Sequence, residues 1–91
     1  MLQVRAATSF KKDYKRIKKR HYNLKALETV IDLIATGNPL PAKYRDHTLI
    51  NDYAGCHECH VEPEWLLVYE IRQSELLLYL LRTGTHSDIF P

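Results

Sequence analysis

The sequence predicts an α+β domain in which two N-terminal antiparallel helices pack on one face of a small twisted, mainly antiparallel sheet. Three observations carry this. Two amphipathic helical stripes come early in the chain. Three strand-like runs follow in quick succession, with turns between them. A length of 91 residues allows one domain, residues 1–91, with one modest core. The expected order is strand, helix, helix, then three strands.

A first short strand is read over residues 1–7, where Leu2 and Val4 alternate with Gln3 and Arg5. Thr8 or Ser9 is expected to cap the next helix, because a hydroxyl there accepts from an unpaired N–H of the first turn. Phe10, Tyr14 and Ile17 form its apolar stripe, and it stops near Arg20 to Tyr22. Asn23 is a cap for the second helix, whose stripe is Leu24, Leu27, Val30, Ile31 and Ile34. Gly37 ends that helix, where a left-handed residue is needed. Asn38-Pro39-Leu40-Pro41 cannot continue it.

Residues 38–51 lack a period and read as a loop. Strands are expected over residues 52–61, 65–71 and 75–83. Pro63 marks the tip between the first two, since proline cannot donate to a ladder, and Gln73-Ser74 turns the chain between the last two. Residues 87–90 read as one helical turn. The helices cover one face of this sheet. Nothing remains to cover all of the other, so the functional residues are expected at its open rim: His47, His60, Glu64, Arg82 and His86.

Charge is small in sum and uneven in place. The net charge is +2, yet Lys11, Lys12, Lys15, Arg16, Lys18, Lys19 and Arg20 fall in one helix. Such a concentrated field suits a polyanion or an acidic protein partner; it also suits a plain solvated face. No apolar run approaches the roughly 18 residues of a membrane helix. With no apolar leader at the N-terminus, cytoplasm is the expected location.

Cys56-His57-Glu58-Cys59-His60 has the spacing of a haem-attachment motif and half the ligands of a structural zinc site. In an extended strand Cys56 and Cys59 point to opposite faces, which disfavours zinc and dithiol chemistry alike. The remaining polar set has a different use. Metal-free cleavage of RNA needs a base for the 2′-hydroxyl, an acid for the departing 5′-oxygen, and cations around the phosphorus. Histidine serves as acid or base because it titrates near neutral pH. Arg82 could grip phosphate. Four residues apart on a helical turn, His86 and Phe90 share a face, and Phe90 could stack on a base or seal the core.

Three separated blocks carry a family resemblance: Asp46-His47, then Cys59-His60-Val61-Glu62-Pro63-Glu64-Trp65-Leu66-Leu67-Val68-Tyr69, then Arg82-Thr83-Gly84-Thr85-His86-Ser87-Asp88-Ile89-Phe90. In these the chain resembles the YafQ type of toxin in the RelE/ParE superfamily. The resemblance implies a RelE-like fold and a ribosome-dependent endoribonuclease that cuts mRNA in the A site. It implies catalytic roles for His47, His60, Glu64, His86 and Phe90, with no cofactor or metal. His86 would be the acid; His60 and Glu64 would share the base role, in an order left open. Arg82, His57, Lys43, Arg45, Lys11, Lys12, Lys15, Lys18 and Lys19 are the expected contacts to phosphate and RNA. The implied partners are ribosome, mRNA and a cognate antitoxin of the DinJ or RelB kind, in an assembly that could be a heterotetramer. Two departures stand out: the family usually has aspartate in place of Glu64, and often arginine in place of His57. The rival expectations are a non-catalytic ParE-like binding toxin and a small zinc or redox protein built on Cys56 and Cys59.

Overall fold

Five strands and three helices form, in the order β1 (Gln3–Ala6), α1 (Thr8–Lys19), α2 (Leu24–Ala35), β2 (His47–Thr48), β3 (His57–Glu62), β4 (Trp65–Arg72), β5 (Leu77–Gly84) and α3 (His86–Ile89). The structure, a computed structural model, describes residues 1–91 apart from the side chain of Asn51. The sheet order is β1-β5-β4-β3-β2. β1 runs parallel to β5, and the other pairs are antiparallel. This is the α+β architecture expected, with β1 at one edge.

The helices form where their apolar stripes predict. α1 buries Phe10 and Ile17, and α2 buries Leu27, Val30 and Ile34. Both stripes meet Cys59, Val61, Trp65, Leu67, Tyr69, Leu78 and Leu80 on one sheet face, which makes the main core. Asn23 caps α2 by accepting from Ala26 N at 3.4 Å. Gly37 takes the left-handed conformation (φ 85°) just past the helix end. The cap of α1 differs from expectation. Ala7 occupies that position without a side-chain bond, and Ser9 Oγ instead donates to Leu81 O at 2.7 Å. β1 stops pairing at Leu80, so the edge of β5 beyond it needs other partners. Ser9 supplies one of them; Asp13, which accepts from Thr83 N at 3.1 Å, supplies another.

Three strand boundaries differ from the sequence reading. His47–Thr48 is a strand, not loop, because it pairs with His57 and Glu58 at the sheet edge. β3 starts at His57 rather than near residue 52, since residues 51–53 coil into a 3₁₀ turn and Gly55 (φ 88°) reverses the chain. β5 starts at Leu77, because Leu76 is left-handed (φ 50°) and ends the turn at Gln73–Glu75.

The second sheet face is only partly covered. Leu66, Val68, Cys56 and Ile89 form a smaller cluster there, with Tyr53 and Phe90 packed against it. No helix among the described residues is long and apolar enough to cross a membrane.

Candidate active site

The β3–β4 hairpin builds one wall of the site. Its tip is Pro63-Glu64, and a register shift between His60 and Glu62 leaves Val61 as the extra residue of a bulge. Bulges re-aim side chains at strand ends. Alternation along β3 puts Glu58 and His60 on the open face, and His57 and Cys59 on the helix face. α3 builds the opposite wall. Gly84 ends β5, Thr85 caps α3, and His86 is the first helical residue.

Glu58, His60, Glu64 and His86 line one pocket of about 410 Å³. His47 joins from the edge strand: its Nε2 lies 3.3 Å from Glu58 Oε1. His47 and Phe90 line an adjoining depression of about 460 Å³. The Phe90 ring sits 5.0 Å from the His86 ring and makes an edge contact with Tyr53 at 5.8 Å. His60, Glu64 and His86 thus share one pocket, and His47 and Phe90 line a second, linked to the first through the His47–Glu58 and His86–Phe90 contacts.

Hydrogen bonds orient two of the rings. His60 Nδ1 lies 3.0 Å from Pro63 O, an acceptor, so Nδ1 carries the proton in this contact. A neutral His60 then has its lone pair on Nε2 and can accept a proton there. His47 Nδ1 lies 3.0 Å from Arg45 O, and its Nε2 faces the Glu58 carboxylate. Both nitrogens therefore stand beside acceptors, which hold the ring in place. Arg45 is itself left-handed (φ 49°), a conformation rarely populated by a side chain of this size.

The expected phosphate contacts divide. Lys43 and Arg45 line a groove of about 340 Å³ that shares His60 and Pro63 with the 410 Å³ pocket. Lys11, Lys12, Lys15, Lys18 and Lys19 are exposed on α1. Arg82 is mostly committed inside the protein. Its Nε donates to Asp13 Oδ2 at 2.6 Å, Nη2 to Asp13 Oδ1 at 3.3 Å and Asp88 O at 3.2 Å, and Nη1 to the Tyr53 hydroxyl at 3.2 Å. Among the described residues, four of its five N–H groups are used and one is left. Asp13, first of these partners, raises the Arg82 pKa further above its ordinary value. His57 does not join the pocket. Strand alternation turns its ring to the helix side instead, where it stacks on Tyr69 at 5.1 Å and stands 3.6 Å from Asp46.

The cysteines also separate. Cys56 packs on the open face and Cys59 in the main core. Burial pushes the Cys59 thiol up to about 12 and raises Cys56 too, so both are held as thiols. No group of three or more His, Cys, Asp or Glu side chains among the described residues is placed to hold a metal.

Glu58 and Asp13 were not singled out from sequence. Glu58 is two residues before His60, hence on the same face of an extended strand. Asp13 is the one acid on the apolar stripe of a cationic helix, three residues after Phe10 and four before Ile17.

The chain has known relatives over nearly its whole length. The family model described as bacterial toxin of type II toxin-antitoxin system, YafQ, matches residues 2–91. The chain is 40% identical over 82 residues to the mRNA interferase toxin YafQ of Escherichia coli BL21-DE3, covering 89% of this chain and 87% of that protein. The crystal structure of YafQ from the same strain superposes with a TM-score of 0.91 at 35% identity, over 100% of both chains. A structure of the E. coli DinJ-YafQ complex contains a chain that superposes with a TM-score of 0.88 at 37% identity, again over 100% of both. The chain therefore belongs to the YafQ family of bacterial toxins of type II toxin-antitoxin systems.

Proposed function

We propose that this protein is an endoribonuclease toxin that cuts mRNA on the ribosome and is held inactive by a cognate antitoxin. The observation that carries the reading is the convergence of His60, Glu64 and His86 on one pocket of about 410 Å³, with the Glu58 carboxylate beside them. The E. coli relative's name as an mRNA interferase and the DinJ-YafQ complex support activity and partner respectively.

The proposed chemistry needs only these side chains. A base takes the proton of a 2′-hydroxyl, and that oxygen attacks the adjacent phosphorus. The bond to the 5′-oxygen breaks as an acid protonates it. The products are a 2′,3′-cyclic phosphate and a 5′-hydroxyl. His60 suits the base role, since the bond from Nδ1 to Pro63 O leaves Nε2 to accept the proton. Glu64, exposed at the hairpin tip, faces the same space and offers a carboxylate to orient the 2′-hydroxyl. His86, on the opposite wall, suits the acid. His47 would donate from its ring to a phosphate oxygen, with Glu58 and the Arg45 carbonyl fixing the ring's direction. Phe90 would hold a base against His86 by stacking. Arg82 would offer phosphate its single remaining N–H, while Lys43 and Arg45 would hold the strand alongside.

The α1 lysines would meet ribosomal RNA. An antitoxin would have to mask the hairpin tip and α1, which calls for an acidic segment. The test is expression in bacteria of the wild type and a His86→Ala variant. Growth arrest with cut transcripts in the wild type alone is the expected result. Equal growth and intact transcripts in both would overturn the proposal.

A further inference from the structure

Not every cation of α1 is available to a polyanion. Arg20 follows the last turn of α1 and reaches across to the C-terminal segment. Its Nη1 donates to Asp88 Oδ2 at 2.7 Å and its Nη2 to Asp88 Oδ1 at 3.2 Å. Arg16 stands 3.6 Å from the same carboxylate. Asp88 in turn accepts from Thr85 N at 2.9 Å, while Thr85 Oγ1 accepts from Asp88 N at 3.2 Å, a reciprocal cap at the start of α3. Arg82 donates to Asp88 O from the other side at 3.2 Å. Arg20, as the leading cause, holds the Asp88 carboxyl well below the usual carboxylate range.

The cap closes only because Gly84 leaves room. A Cβ at that position would stand 2.8 Å from Asp88 Oδ2. The segment needs such outside support, since a four-residue helix cannot hold itself in water. It carries His86 at its start and Phe90 just past its end.

From this geometry we infer that Arg20 is a positioning residue: by clamping Asp88 it fixes α3, and so aims the His86 ring into the 410 Å³ pocket with the Phe90 ring held against it. The inference rests on the reading of His86 as the general acid. Arg20 thus acts through Asp88 rather than by touching RNA.

The test compares Arg20→Ala, Arg20→Lys, Asp88→Asn and the double variant Arg20→Ala/Asp88→Asn, with Lys19→Ala as a variant of equal charge loss. Single-turnover cleavage is measured on mRNA-programmed ribosomes at saturating concentration, in low and moderate salt. Arg20→Ala should lower the rate at saturation about tenfold to a hundredfold, the scale of a small misplacement of a catalytic group. Low salt should not restore it. Asp88→Asn should match it, the double variant should be no worse than either, and Arg20→Lys should recover part of the rate. Lys19→Ala should instead weaken ribosome binding and recover in low salt. In parallel, NMR of the free protein should lose the ring contact between His86 and Phe90 in Arg20→Ala and keep it in Lys19→Ala. An Arg20→Ala protein with the wild-type saturating rate, or with an unchanged His86–Phe90 contact, would overturn the inference. If the wild type itself does not cleave, the functional reading fails, and the NMR contact still decides whether Arg20 positions α3.

Discussion

Replacing Asp13 with alanine should cost about 3 kcal/mol of stability, a magnitude set by the groups it serves. Asp13 is 2% exposed and accepts three hydrogen bonds, from Arg82 Nε, Arg82 Nη2 and Thr83 N. Thr83 has no solvent exposure, so its N–H would be left unmet at about 1–3 kcal/mol. A fully buried pair broken on one side costs about 3–5 kcal/mol. Arg82 falls short of that, because its side chain is 20% exposed and keeps Tyr53 and the Asp88 carbonyl. Its share is therefore discounted to about 1–2 kcal/mol for solvent screening. In a domain of this size each kcal/mol moves Tm by about 4–8 °C, so a fall of about 12–24 °C is expected. Thermal unfolding followed by circular dichroism measures it. A fall of less than about 4 °C would mean under 1 kcal/mol and would refute the claim that this carboxylate locks α1 to β5.

Three further outcomes follow from the same contacts. Arg20 depresses the Asp88 pKa in the folded state, so its stabilisation is complete above the unfolded value of about 4 and is lost as pH falls through the folded value. The Tm gap between wild type and Asp88→Asn should accordingly be wide at neutral pH and narrow on acidification below about pH 4; a gap that widens there contradicts the ion pair. Gly84→Ala should destabilise by about 1–3 kcal/mol in urea unfolding, since φ is 146° and the added methyl meets Asp88. Changing Lys11, Lys12 and Lys15 to glutamine should flatten the salt dependence of ribosome binding by about 0.7–0.9 in log–log slope for each lysine that meets a phosphate, and an unchanged slope would remove α1 from that interface.

Elements with room for a period were readable from the chain. α1, α2, β4 and the body of β5 show their apolar spacing directly. His47–Thr48 has two residues and so no period at all; only its partner strand makes it a strand. Leu76 begins an apolar run yet is 59% exposed, because the turn needs a left-handed residue there before the strand can start. In the site, no local pattern joins His47, His60 and His86, which come from three distant elements. Their grouping was legible through the family's spaced blocks. Strand alternation from His60 was available for the rest: it selects Glu58 for the pocket and sends His57 to the other face. The commitment of Arg82 to Asp13 was not legible, because Asp13 lies 69 residues away, in a helix that reads as uniformly basic.

The central claim is that these side chains make a 2′-hydroxyl attack its neighbouring phosphate. The most direct measurement uses ribosomes programmed with an mRNA whose cleaved nucleotide carries a single 2′-deoxy substitution, beside the all-ribose message. The account predicts cutting of the ribose message, with a 2′,3′-cyclic phosphate end, and no cutting at the substituted position. Cleavage of the deoxy position at a similar rate, or a 3′-hydroxyl end on the product, would contradict it.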